Sequence, residues 1–445
     1  MRKPSSDKKP LHEKSIPSSR VARFFKVGAM AGSLAGNVVK NSLGAAIQAQ
    51  KPSKQNTLLH LDNAKTITKH LAHMRGAAMK LGQMLSMDAG ELLPAEWEPI
   101  LAMLREQANS MPQAQLREEL NKHWGPDWQS HFSEFSFEPI AAASIGQVHK
   151  GVLKNGETVA VKVQYPGVAE SIDSDIDNVA GLLKLSRLIP KGLDIQSILE
   201  QAKGQLKQEA DYTLELAHLQ HYGALLNDDS RFIVPKAYPQ LCNQHILCME
   251  FIDARPMAEL AYETTRCKTT LIESLFDLVF SELFTFRFTQ SDPNYANFLY
   301  KDDTKQLVLL DCGACRHLSE HASSGYVQMA KAMQQQNAPL ISQALLDLGL
   351  LSSNTPQEAQ NIVLNACITA SESLQTSAYN FKQAKIIKRL QAQTQELIDQ
   401  KYAIASPDFD VALINRKVTG TVMLANKLDV SIPLSSILAP YIANS

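Results

Sequence analysis

The sequence predicts an α+β fold in which a small sheet with inserted helices is preceded and followed by helical segments. Three observations carry this. Strand-like patterns are confined to three stretches, 143–164, 231–251 and 298–311. Helical periodicity fills most of the remainder. The order is helices, sheet, helices, unlike the regular strand–helix alternation of a parallel α/β sheet. A length of 445 residues suits two or three units. With 44% hydrophobic and 20% charged residues the chain can bury a core, which excludes wholesale disorder.

Taken in order, residues 1–20 are rich in Pro, Ser and Lys and read as a disordered basic arm. Residues 21–125 read as a helical extension. Within it, 57–88 is the strongest segment, with Leu71, Met74, Ala78, Leu81 and Leu85 on one face. Pro94 opens a helix through Trp97, Leu101 and Leu104, and a short helix over 111–125 ends near Gly125-Pro126. Residues 126–253 form the sheet-containing lobe. Its hairpin turns at Asn155-Gly156, the strongest short hairpin signal. Helices follow over 168–185 and 194–226, then two strands over 231–251 that end in the apolar run Ile246–Ile252. Residues 254–445 read as a helical lobe interrupted by a hairpin, Phe298–Tyr300 and Leu307–Asp311, with 301–305 as its turn.

The formal net charge of −1 argues against a general nucleic-acid binder, but the total hides a segregation. Residues 1–54 hold eleven Lys/Arg and two Asp/Glu, an excess of +9, which leaves −10 on the rest. A basic arm of this kind suits an anionic membrane surface or simply a solvated tail. The run Val27–Val39 has thirteen residues, too few to span a bilayer. Gly28, Gly32 and Gly36 give it a small-residue face that suits close helix packing or an interfacial helix. No secretory signal is visible. Six scattered cysteines fit reduced thiols, and Cys312-x-x-Cys315 reads as packing thiols beside a turn, since no second pair at zinc-ribbon spacing exists.

Three motifs carry chemistry. Val159-Ala-Val-Lys-Val163 puts Lys162 in the middle of an apolar strand, where its charge is costly unless an anion meets it. Alone, an edge-strand lysine accounts for it equally well. Asp292-Pro-Asn-Tyr-Ala-Asn297 has the Asp-to-Asn spacing of a protein-kinase catalytic loop, in which the Asp orients the nucleophile and the Asn holds Mg²⁺. Asp311-Cys-Gly313 closes an apolar strand, as the metal-binding D-F-G does. In this order and context the three are jointly specific for a kinase-like nucleotide site. The Gly-rich loop is replaced by Ala141-Ala-Ala-Ser-Ile-Gly-Gln147, stiffer than glycine. The H-R-D arginine and the A-P-E are absent, and helical periodicity resumes by Ser319, leaving little room for a peptide platform. These absences argue against an ordinary protein kinase.

With Lys80-Leu-Gly-Gln83 matching a KxGQ motif, Ala141-Ala-Ala-Ser144 an Ala-rich loop, and Glu209-x-Asp211 an acidic pair, the sequence resembles the UbiB (ADCK) family of atypical kinase-like proteins, in its coenzyme Q-associated branch. The match runs from about residue 20 to near the C-terminus. The resemblance implies a two-lobed protein-kinase-like fold with an N-terminal KxGQ extension. It implies ATP/ADP held by Ala141, Ala142, Ala143, Ser144, Lys162 and Glu250, with Lys162 paired to Glu209. Mg²⁺ would lie on Asn297 and Asp311, and Asp292 would be the candidate base. Lys80, Gly82, Gln83 and Asp211 would form a regulatory set, the KxGQ helix covering the place where a kinase receives its peptide. Cys312 departs from the family's usual Phe.

The expected function is a slow ATPase or a small-molecule or lipid kinase supporting coenzyme Q biosynthesis at a membrane. Its partners would be anionic lipid, quinone precursors and the pathway's enzymes. Homodimer formation is left open. Rivals are a phosphotransferase of the aminoglycoside/choline kinase type and a non-catalytic nucleotide-sensing scaffold. The expected location is a bacterial cytoplasm, peripheral to the inner membrane, with the mitochondrial matrix side as the alternative.

Overall fold

The structure, a computed structural model, describes residues 110–143, 145–186, 195–290, 297–400, 402 and 407–443. The basic arm, the helical segments expected before residue 110 with Lys80, Gly82 and Gln83, and also Ser144 and Asp292, lie outside the described residues. The chain divides into two compact units. One holds the described residues up to Leu216 together with Lys236–Phe251, and the other holds Ala217–Pro235 and Ile252 onward.

The described residues open with α1 (Gln113–Trp124), whose Leu116 and Leu120 are fully buried one turn apart. It stops at Gly125, where φ is 87°, a left-handed value that glycine tolerates at little cost. Then come β1 (Phe132–Ala142), β2 (Gly146–Leu153) and β3 (Thr158–Gln164). They are followed by α2 (Val168–Ser186), α3 (Ile195–Glu209), α4 (Tyr212–Leu225), β4 (Phe232–Ile233) and β5 (Ile246–Glu250). The first unit is built on an antiparallel sheet in the order β1-β2-β3-β5. Trp128 anchors its outer end, with Trp124, Phe132, Phe135 and Phe137 around it at centroid distances of 5.0–6.2 Å. The β2–β3 turn runs through Gly156 at φ 87°, as the Asn-Gly signal predicts.

His149 on β2 is fully buried and stacks on Phe135. Its ring is held from both sides: Nδ1 meets the Ser136 carbonyl at 2.9 Å and Nε2 meets Gln147 Nε2 at 2.8 Å. Gln147 Oε1 accepts from the Met111 amide, so its Nε2 donates and His149 Nε2 must be the unprotonated acceptor. Burial accordingly pushes the His149 pKa down from 6.5 to about 4. The unfolded chain takes up this proton first. Stability is therefore full above pH 6.5 and falls as pH drops toward 4, by roughly 3 kcal/mol. Urea midpoints measured across that window are expected to fall more steeply in wild type than in His149→Gln.

The second unit is mostly helical. After β6 (Arg255–Pro256) come α5 (Thr265–Phe280), β7 (Phe288–Gln290), β8 (Phe298–Lys301), β9 (Gln306–Leu309) and β10 (Cys315–His317). The helices α6 (Glu320–Gln334), α7 (Ala338–Asp347) and α8 (Gln357–Ser371) follow. β11 (Tyr379–Asn380), α9 (Ile386–Asp399), α10 (Phe409–Leu428), β12 (Ser431–Ile432) and α11 (Leu434–Ala443) complete it. Side-chain caps fix the starts of α5, α6 and α7: Thr264 accepts from the Cys267 amide and Ser319 from the Ala322 amide, each at 3.3 Å, and Asn337 from the Leu340 amide at 3.2 Å. The Ser319 cap stands where the returning periodicity places a helix start.

The second unit's larger sheet has the order β4-β9-β8-β6. The hairpin β8–β9 forms as the sequence predicts, turning at Lys305 with φ 61°. The two strands expected over 231–251 do not pair with each other. β4 lies parallel to β9 in the second unit, while β5 joins β3 in the first. Such long-range pairing leaves no local pattern. No helix of the described residues is long and apolar enough to cross a membrane.

Candidate functional site

In the first unit, Lys162 lies on β3, an interior strand flanked by β2 and β5. The edge-strand explanation of this lysine is thereby removed. It is 8% exposed. Its Nζ sits 2.8 Å from both carboxylate oxygens of Glu215, itself 1% exposed, and 5.0 Å from the centre of the Tyr212 ring. A charge buried this deeply persists only where a charged partner and hydrogen bonds meet it. Glu215 supplies both from the first turn of α4.

This corrects the sequence expectation that Lys162 pairs with Glu209. Glu209 ends α3, and the chain breaks at Ala210 before α4 begins. Asp211 then accepts from the Thr213 amide at 3.0 Å and from its hydroxyl, in the manner of an N-cap. Glu209 and Asp211 therefore stand on either side of a helix break and do not share one helix. Gln164, at the end of β3, donates to the Ala210 carbonyl at 2.8 Å and to that of Gln244 at 3.1 Å. It ties the break to the lysine strand. Tyr212, Glu215, Leu219 and Tyr222 form the buried stripe of α4. A lone carboxylate in that stripe is the signal that could have singled out Glu215.

The Ala-rich segment forms the β1–β2 connection. Ala141 and Ala142 pair with Val148 and Gln147, and the Ala143 amide donates to the Gly146 carbonyl at 2.9 Å. Gly146 is needed by close approach: a Cβ there would stand 2.4 Å from the Val163 carbonyl oxygen and 2.9 Å from the Tyr212 hydroxyl. The loop position of a kinase phosphate-binding turn is thus filled by a compact, alanine-lined turn beside the lysine strand. Glu250 ends β5, where its carboxylate accepts from the Lys236 amide at 3.2 Å and its own amide donates to the Lys236 carbonyl at 2.8 Å.

In the second unit, Phe298 pairs with Leu309, and one residue further out the Leu310 amide donates to the Asn297 carbonyl at 3.0 Å. The hairpin thereby brings Asn297 and Asp311 to one end of the same two strands. Asp311 Oδ1 accepts from the Gly313 amide at 2.9 Å, and the Cys315 amide returns to the Cys312 carbonyl at 3.2 Å, closing a tight turn. An amide oxygen and a carboxylate are the hard oxygen donors that suit Mg²⁺, which takes one or two protein ligands and completes its shell with water and phosphate. The residues present therefore fit the ion. Asn297 and Asp311 would hold it, and when bound it would neutralise phosphate charge.

His218 on α4 donates from Nδ1 to the Cys312 carbonyl at 3.1 Å, and burial pushes its pKa down. Sequence reasoning did not single it out. Cys312 and Cys315 are both 2% exposed, and burial pushes the Cys315 thiol up. Thiols enclosed in this way act as packing groups. Cys312, at the position where the resemblance implies Phe, is buried.

A family model described as the ABC1 atypical kinase-like domain matches residues 103–345. The chain is 32% identical over 435 residues to the mitochondrial atypical kinase COQ8 of Saccharomyces cerevisiae, covering 97% of this chain and 86% of that protein. It is 34% identical over 423 residues to the mitochondrial atypical kinase COQ8B of Rattus norvegicus, covering 94% and 79%. Among solved structures, Rv3197 of Mycobacterium tuberculosis in complex with erythromycin is similar with a TM-score of 0.61 at 24% identity, covering 88% of this chain and 98% of that one. That likeness bears on the fold alone. The family match spans more than half of the chain, and the lysine strand and the Asn297–Asp311 hairpin agree with it: the chain belongs to the ABC1/UbiB family of atypical kinase-like proteins.

Proposed function

We propose that the chain is a Mg²⁺-dependent, ATP-binding kinase-like enzyme that hydrolyses ATP slowly or phosphorylates a small or lipid-like substrate, in support of coenzyme Q biosynthesis. The observation that carries this reading is the buried Lys162–Glu215 pair on an interior strand. A protein gains little stability from such a pair over well-packed apolar residues. In kinases the same pair holds the nucleotide's α/β-phosphates. Lys162, the Ala141–Ala143 turn, Ser144 and Glu250 would bind ATP or ADP, Asn297 and Asp311 the Mg²⁺, and Asp292 would orient the nucleophile. Glu209, Asp211 and the KxGQ residues Lys80, Gly82 and Gln83 would regulate access. The domain division would follow 1–20, 21–125, 126–253 and 254–445.

The basic arm supports a place at an anionic membrane, where quinone precursors and the other enzymes of the pathway would be met. That surface would be the cytoplasmic side of a bacterial inner membrane or the matrix side of a mitochondrial one. The relatives' names give the mitochondrial compartment. ATP turnover by the purified protein, with and without anionic vesicles and quinone-precursor phenols, tests enzyme, membrane and pathway together. Turnover is expected to rise when both are added. A rate unmoved by either would remove the membrane and pathway parts of the reading.

A further inference from the structure

A second buried ion pair lies in the helical unit, at the strand that leads into the segment carrying Asp292. Lys417 on α10 is 3% exposed and Glu282, just after α5, is fully buried. Lys417 Nζ pairs with Glu282 Oε2. Glu282 also accepts from the Tyr222 hydroxyl and from Thr289 Oγ1, the latter at 2.9 Å. The remaining contact is the informative one: Lys417 Nζ donates to the Gln290 carbonyl at 2.8 Å. Gln290 is the last residue of β7 and stands two positions before Asp292.

Its other attachments are weak. Gln290 pairs in register with Cys315, but the Cys315 amide turns back to the Cys312 carbonyl and does not serve Gln290. The Gln290 side-chain amide is buried with no hydrogen-bond partner on either its nitrogen or its oxygen. Thr289, one residue earlier, is held by Glu282 of the same pair. Two successive residues of β7 thus hang on one ionic cluster, the first by its hydroxyl and the second by its carbonyl.

An ion pair costs desolvation that apolar side chains would not, so stability is a poor reason for one here. We infer that Lys417 is a positioning residue: it fixes the Gln290 carbonyl, and Glu282 meets and aims its buried ammonium, so that the chain enters the Asp292 segment at a set point. The inference rests on the reading of Asp292 as the group that orients the nucleophile. Misplacing such a group by about 1 Å can cost on the order of 100-fold in rate.

Lys417→Met alone would strand a buried carboxylate and could fail to fold. The test therefore uses Lys417→Met combined with Glu282→Gln. This double variant removes both charges and the ammonium donor to Gln290; the Gln side chain keeps an oxygen to accept from one of the Tyr222 and Thr289 hydroxyls and an NH2 to donate to the other. Three quantities are measured on the full chain: the thermal midpoint, hydrogen–deuterium exchange of the peptide spanning 288–298, and the kcat and KM of ATP turnover. The expected result is a midpoint close to wild type, faster exchange confined to that peptide, and kcat lowered about tenfold or more with KM for ATP within about twofold. Wild-type exchange in that peptide in the folded double variant would overturn the inference. So would faster exchange with an unchanged kcat. A wild-type protein that does not turn over ATP would count against the Mg-ATP reading instead, and the exchange measurement would then decide the anchor by itself.

Discussion

Asp311→Asn is expected to abolish Mg²⁺-dependent ATP binding while leaving the fold intact. The substitution is nearly isosteric. Its Oδ1 can still accept from the Gly313 amide, the contact that shapes the turn after β9 at 2.9 Å. The Asn297–Leu310 link of the hairpin is untouched. What disappears is the negative charge. A divalent ion held by one carboxylate and one amide oxygen depends on that charge for most of its attraction. Losing several kcal/mol of metal-mediated stabilisation corresponds to roughly a hundredfold or more in affinity for the loaded nucleotide.

Glu215→Gln is expected to have the largest effect on stability. Lys162 and Glu215 are both buried, and the change removes the carboxylate that meets Lys162 Nζ at 2.8 Å. Breaking a buried pair from one side costs about 3–5 kcal/mol, because the remaining charge loses its compensation. The urea midpoint should fall accordingly, and Mg-ATP affinity should fall with it as Lys162 loses its aim. Lys162→Met combined with Glu215→Leu separates the two effects. Stability is expected to return toward wild type, since apolar replacement of a whole buried pair is often neutral, while nucleotide binding stays lost. Recovery of both would mean that the pair serves the fold alone. Glu209→Gln, which leaves the Lys162–Glu215 pair in place, is expected to change the midpoint far less than Glu215→Gln.

The parts of the fold that local chemistry dictates were legible in the sequence. The β2–β3 turn follows from Asn155-Gly156, the β8–β9 hairpin from its apolar strands, and the start of α6 from Ser319. Asn297 and Asp311 were legible because their spacing spans a single hairpin. Where pairing is long-range, the sequence is silent. β4 is two residues long and lies parallel to β9, with Phe232 paired to Leu307. β7 and β10, three residues each, are too short to show an alternation. Glu209 stands out in the sequence because it belongs to an acidic pair, whereas nothing local marks Glu215. The choice of carboxylate depends on where a helix breaks, and that break at Ala210 is visible only once α3 and α4 are placed. Lys417 was missed for a related reason. It lies more than a hundred residues from Gln290, and an amphipathic helix with one lysine on its apolar side looks like any other.

Lys162 in the first unit and Asn297 and Asp311 in the second are the residues proposed to serve Mg-ATP. The most direct test is a calorimetric titration of ATP into the wild-type protein and into Asp311→Asn, each with Mg²⁺ and again with the metal chelated. Saturable binding in wild type that needs Mg²⁺ and vanishes in Asp311→Asn is the predicted result. Binding that is absent in wild type, or that is equal in the two proteins, would contradict it.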